Sequence, residues 1–172
     1  AYHSAGRHYI RRGEYTGWMR QIFETLKIDI ARLILIEEPL TFERLVIPVQ
    51  GSRLGSGPIA ADYSAIFPPP RAGRAASSDP RNKAVYVSRS KFVHGGSFLG
   101  EPLVEAVLAE AGVRIVHPQE YPVAEVLDML EQAEMAIFSE GSALHFLELC
   151  RPAPQKVFVI SRRSRQANSS AM

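Results

Sequence analysis

Between Lys83 and Ile160 four short β-rich runs alternate with three stretches of helical spacing, and this rhythm constrains the fold more than any other feature. Strands are expected over residues 83–88, 113–116, 135–138 and 156–160, and helices over 101–111, 123–133 and 142–150. Leu103, Val104, Val107 and Leu108 mark one face of the first helix and Gly112 its stop, while Pro122 opens the second where proline is tolerated. Connections of this length and type join parallel strands through crossover helices. The expected fold class is therefore α/β, a Rossmann-like parallel sheet with helices on both faces.

The upstream half reads differently. Trp18, Ile22, Phe23 and Leu26 give residues 15–26 the spacing of an amphipathic helix. Residues 33–37 and 45–49 are short β-rich runs, bounded by Glu38-Pro39 and Gln50-Gly51-Ser52. From 51 to 82 the composition shifts to glycine, proline and serine, with Pro68-Pro69-Pro70 at its centre and a short helix expected near 59–67. Four segments follow: 1–50 as the end of a preceding α/β domain, 51–82 as a linker, 83–161 as the Rossmann-like domain, and 162–172 as a polar tail. Arg162, Arg163 and Arg165 in that tail read as a solvated basic end. The opening Tyr2-His3-Ser4-Ala5-Gly6 resembles no domain start, so the sequence is expected to be a piece of a longer protein.

Composition narrows the function classes. With 46% hydrophobic and 22% charged residues the chain is not a disordered one. A net charge of +2 argues against a nucleic-acid binder on overall electrostatics. No apolar run nears the roughly 18 residues of a membrane span, so no transmembrane segment is expected, nor is there a signal region. Cys150 is the single cysteine, which excludes an internal disulfide and a multi-cysteine metal site. The five histidines lack metal-ligand spacing, so neither a metal nor a cofactor is expected. A reducing, cytoplasmic compartment fits. Arginine outnumbers lysine 16 to 4, the bias of a GC-rich bacterial genome.

Ligands of open parallel sheets sit outside the carboxyl ends of the strands. Three such ends are visible: Ser88-Arg89-Ser90 with His94-Gly95-Gly96-Ser97, His117-Pro118-Gln119-Glu120, and Ser139-Glu140-Gly141-Ser142 with His145 one turn further. At the third, Gly141 admits a ligand to the backbone and Ser142 can bond a phosphate oxygen at the start of a helix. Arg89 could add a forked contact to the same phosphate. The plainer readings stay open: Gly141-Ser142 as a helix cap, Arg89 as a solvated cation, His145 as a buried helix histidine. Named motifs do not fit. Ser97 stands where a dinucleotide fingerprint needs glycine, Glu101-Pro102 follows Gly100 where a Walker loop needs Lys-Ser/Thr, and Glu140 and Leu144 stand where a nucleophile elbow at Ser142 needs glycines.

The segments Tyr86-Val87-Ser88-Arg89, Gly100-Glu101, Ala111-Gly112-Val113-Arg114-Ile115-Val116-His117-Pro118, Ala133-Glu134 and Glu140-Gly141-Ser142-Ala143-Leu144-His145, in this order and spacing, resemble glycosyltransferase family 61. Bacterial members are often described as capsular polysaccharide biosynthesis proteins. The resemblance covers about residues 83–160 and extends more loosely over 18–49. It implies the C-terminal half of a GT-B-type architecture, with two Rossmann-like domains and a nucleotide-sugar donor, a UDP-sugar, held mainly by the second. It also implies metal-independent transfer to a saccharide acceptor in polysaccharide biosynthesis, at the inner face of a bacterial membrane. The implied donor contacts are Arg89, Glu120, Gly141, Ser142 and His145. Candidates for a catalytic group are Glu101, Glu140 and His145, each of which also reads as a cap, a ribose contact or a surface group. The rival reading is a non-catalytic nucleotide-binding or interaction remnant of such a transferase.

Overall fold

The computed structural model of the protein describes residues 10–11, 14–34, 36, 39–47, 83–92 and 97–162. The chain divides into two compact units, Ala1–Pro69 and Pro70–Met172.

In the first unit, β1 (Ile10–Arg11) and β2 (Glu14–Tyr15) form a short antiparallel pair ahead of α1 (Gly17–Thr25). The Tyr15 ring meets Phe23 edge-on at 5.1 Å, which ties the strand to the helix expected over 15–26. A 3₁₀ turn, Ile30–Arg32, follows, with Asp29 accepting from the Ala31 N–H at 3.0 Å. The β-rich runs expected at 33–37 and 45–49 are not strands where they are described. A strand exists only by pairing, and these residues have no ladder partner; Ile34 and Ile47 are 77% and 79% exposed. The short helix expected near 59–67 lies outside the described residues.

The second unit carries the fold that the rhythm of the sequence predicts. Its elements are β3 (Ala84–Val87), α2 (Glu101–Glu110), β4 (Arg114–Val116), a 3₁₀ turn Pro118–Glu120, α3 (Val123–Gln132), β5 (Met135–Ser139), a 3₁₀ turn Ser142–His145, α4 (Phe146–Leu149) and β6 (Lys156–Ile160). All four strands are parallel, in the order β4-β3-β5-β6, with Tyr86 opposite both Ile115 and Ile137, and Ile137 opposite Phe158. This is an α/β fold. The chain moves outward from β3 to β4 and then returns across β3 to β5. Right-handed crossovers, the rule for parallel units, place α2 and α3 on opposite faces. The strand order reverses between β3 and β5, and a ligand crevice belongs at that point.

The core consists of Val85, Tyr86 and Val87 from β3, Phe138 from β5, and Val126, Leu127 and Leu130 from α3. In α3 the buried face follows the apolar spacing. In α2 it does not: Leu103 and Val107, expected on the packed face, are 70% and 58% exposed. The inner face is instead Glu101, Val104, Glu105 and Leu108, with Glu101 fully buried. The same helical period is carried by two glutamates. Among the described residues, no helix is long and apolar enough to cross a membrane.

Glu101 explains this inversion. Gly100 holds φ at +87°, a left-handed value that a side chain resists, and starts α2 so that Glu101 turns inward at once. Its Oε1 accepts from the Tyr86 hydroxyl at 3.0 Å, the Ser88 hydroxyl at 3.2 Å and the Arg89 N–H at 2.8 Å. Its Oε2 accepts from the Phe98 N–H at 3.4 Å. Burial first, then the Glu101 hydrogen bond and charge, push the Tyr86 phenol well above its ordinary value of 10.0.

Glu101→Ala strands these donors in the interior and should cost about 3–5 kcal/mol, lowering Tm by at least about 10 °C. Glu101→Gln, which keeps one acceptor oxygen, should lose less than half of that. Thermal unfolding followed by circular dichroism measures both. The tyrosine gives a pH signature. The folded chain keeps the Tyr86 proton above pH 10 while the unfolded chain releases it, so the stabilisation is full below that pH and drains as pH rises through it. Tyr86→Phe should cost about 1 kcal/mol at pH 7, and the gap to the parent in urea midpoint should narrow at pH 11. A gap that stays constant with pH would assign the alkaline sensitivity to other groups.

Candidate functional site

Two segments frame the crevice between β3 and β5: 88–92 after the first strand and 139–142 after the second. The Arg89 N–H is fixed by Glu101, and the Arg89 carbonyl accepts from the Phe92 N–H at 2.8 Å. This turn brings the Phe92 ring beneath the arginine, with Cζ 5.0 Å from the ring centroid, a cation–π contact. Gly141 closes the other side. A Cβ at Gly141 would lie 2.5 Å from Arg89 Nη1, 2.8 Å from Cζ and 2.9 Å from Nε. The guanidinium therefore rests against a bare Cα. Gly141 is extended, with φ 163°, so close approach and not backbone angle is what requires glycine here.

Glu140 works in a different direction. Its N–H continues the ladder to the Ile160 carbonyl at 3.0 Å, and its Oε2 accepts from the Ser161 hydroxyl at 3.0 Å and the Arg162 N–H at 2.9 Å. Arg162 Nε in turn donates to the Glu140 carbonyl at 2.6 Å. Arg162 is thus part of the folded unit and only half-exposed, a correction to its reading as the first residue of a solvated tail. Burial, and after it the charge of Arg162, lower the Arg89 pKa, with Glu101 opposing.

The helix expected over 142–150 is corrected as well. Residues Ser142–His145 form one 3₁₀ turn and α4 has four residues, so there is no long helix whose dipole could focus on Ser142. Ser142 is exposed beside the crevice. His145 is exposed rather than a buried helix histidine, and its Nδ1 lies 3.1 Å from Glu148 Oε1. Glu120 is exposed after β4 and pairs with Lys91 Nζ at 2.6 Å; that hydrogen bond and charge lower its carboxyl pKa. The structure thus brings Arg89 and Gly141 into contact, sets Glu140 beside them and Glu101 beneath them, and engages Glu120 with Lys91.

Sequence reading missed three participants. Phe92 and Glu105 are singled out by no motif in the sequence, and Arg162 reads there as a tail residue. Glu105 instead accepts from the Ser90 hydroxyl at 2.6 Å, contacts the Ser88 hydroxyl, and lies 3.7 Å from His117 Nε2. The signal for Glu105 was its spacing of four from Glu101 on a helix packed at a strand end. Chemically, a guanidinium held between an aromatic face and an open backbone is a forked donor set suited to a phosphate.

The chain matches the family described as Glycosyltransferase 61 over residues 15–159, a span that includes Arg89, Glu101 and 140–142. No curated protein and no solved structure matches it.

Gly141→Ala should push the flexible end of Arg89 away without disturbing the sheet. The expected result is about tenfold weaker binding of inorganic pyrophosphate by calorimetry, with Tm within about 2 °C of the parent. Parental affinity in the alanine variant would separate Arg89 from anion binding.

Proposed function

The chain belongs to glycosyltransferase family 61 and is a glycosyltransferase; from that membership we propose that it transfers a sugar from a UDP-sugar to a saccharide acceptor, with Arg89 holding the donor's diphosphate. One observation carries this reading: the Arg89 guanidinium is clamped between Phe92 and Gly141 at the point where the strand order reverses.

Transfer breaks the bond between the anomeric carbon and the diphosphate oxygen, and the bonding electrons leave with the diphosphate. The acceptor hydroxyl oxygen forms the new bond and gives its proton to a base. Negative charge grows on the departing diphosphate, so a preorganised cation stabilises the transition state more than the bound donor. Arg89 supplies that cation without a metal ion. Gly141 offers bare backbone, and Ser142 offers a hydroxyl at the crevice edge. Glu101 is the positioning group: its carboxylate is buried and holds the Arg89 backbone, which removes it from proton transfer. Glu140 is spent on Ser161 and Arg162. With Glu101 and Glu140 engaged, this reading takes the exposed His145 as the base, its Nδ1 3.1 Å from Glu148 Oε1. In this reading the second unit is the donor half of a GT-B-type architecture, and the product is a bacterial polysaccharide of the capsular type.

Arg89→Ala should lose about 1.5–3 kcal/mol of UDP binding, the worth of a charge-assisted contact, with little change in Tm. Calorimetry without added metal, beside a melting curve, is the test. Unchanged affinity with a large fall in Tm would make Arg89 a structural ion-pair partner and remove the observation on which the reading stands.

A further inference from the structure

Arg89 has a neighbour that neither its motif nor its strand supplies. Arg162 follows β6, beyond the residues matched to the family, 15–159. Its Nε donates to the carbonyl of Glu140, and the Arg89 guanidinium rests on the Cα of Gly141. These are consecutive residues, so two cations from two strand ends meet one dipeptide. We propose that Arg162 is a second diphosphate-binding residue of the donor site and that Glu140 is its positioning residue, so that the two phosphates are gripped between two guanidiniums. The inference rests on the reading of this crevice as the donor site.

The placement of Arg162 is built, not incidental. The Glu140 carboxylate takes the Arg162 backbone N–H and the Ser161 hydroxyl, which turns the chain inward as β6 ends, and the Glu140 carbonyl then takes Nε. Backbone and side chain of Arg162 are thus held by one residue, itself locked to β6 through its own N–H and the Ile160 carbonyl. Holding two guanidiniums together is unfavourable by itself: burial, and after it the charge of Arg162, depress the Arg89 pKa. A dianionic ligand reverses the sign of that interaction. Each phosphate of a diphosphate can accept a forked pair of N–H donors, the geometry for which arginine is suited and lysine is not.

The test uses the 172-residue chain with inorganic pyrophosphate, UDP and uridine as probes in titration calorimetry, and circular dichroism as the control for folding. Arg162→Ala and the longer, neutral Arg162→Gln should each weaken pyrophosphate and UDP by about tenfold or more and leave uridine unaffected. Glu140→Ala should weaken the same two probes several-fold, and Glu140→Gln, whose amide oxygen still accepts, should restore them. In an Arg162→Ala background, Glu140→Ala should cost nothing further. Losses that add in the double variant would make Glu140 structural only and overturn its positioning role. Arg162 variants that bind pyrophosphate like the parent, while Arg89→Ala does not, would overturn this inference and leave the donor-site reading intact. A parent chain that binds neither pyrophosphate nor UDP would overturn both.

Discussion

Glu101 is wholly buried, and a buried carboxylate is tolerated only where donors replace the water it has lost. Here the replacements are the Tyr86 and Ser88 hydroxyls and the Arg89 and Phe98 N–H groups. They come from β3, from the two residues that follow it and from the turn into α2. One carboxylate therefore fixes where the strand stops, where the helix begins and which way Arg89 leaves the sheet. Glu105, one turn on, repeats the device for Ser90 and lies beside His117. The inner face of α2 carries a polar brace at a strand end beside Val104 and Leu108, while Leu103 and Val107 face out.

With β3 fixed, the crevice follows from topology. The order β4-β3-β5-β6 sets the ends of β3 and β5 side by side. Glycine at 141 then lets the arginine lie flat on the opposite strand end, and Phe92 holds it from the other side. Glu140 binds the end of β6. Neighbouring residues thus serve the ends of two different strands, β3 through Gly141 and β6 through Glu140.

The parallel sheet was legible because apolar runs and helical spacing alternate from residue 83 to 160, and each run found a partner. The runs at 33–37 and 45–49 are β-rich too and, among their described residues, pair with no strand, which sequence alone does not reveal. In α2 a hydrophobicity pattern was the wrong guide, because the buried period is carried by Glu101 and Glu105. Arg89 and Gly141 were legible from their positions after strands. Phe92 and Arg162 were not, since each is placed by a local turn whose N–H groups donate to a nearby carbonyl or to a carboxylate distant in sequence. The single 3₁₀ turn at 142–145 likewise escaped a reading in which a serine after glycine opens a longer helix.

The pairing of β3 with β5 joins segments about fifty residues apart, across the whole of α2, β4 and α3. Closing that loop costs somewhat more chain entropy than the more local joining of β3 to β4. Arg89 and Gly141 belong to opposite sides of this seam. A chain with only β3 and β4 assembled has the arginine and lacks the surface it rests on. The contact between Arg89 and Gly141 is therefore a property of the finished sheet alone, joining two strand ends that no nearer stretch of chain links.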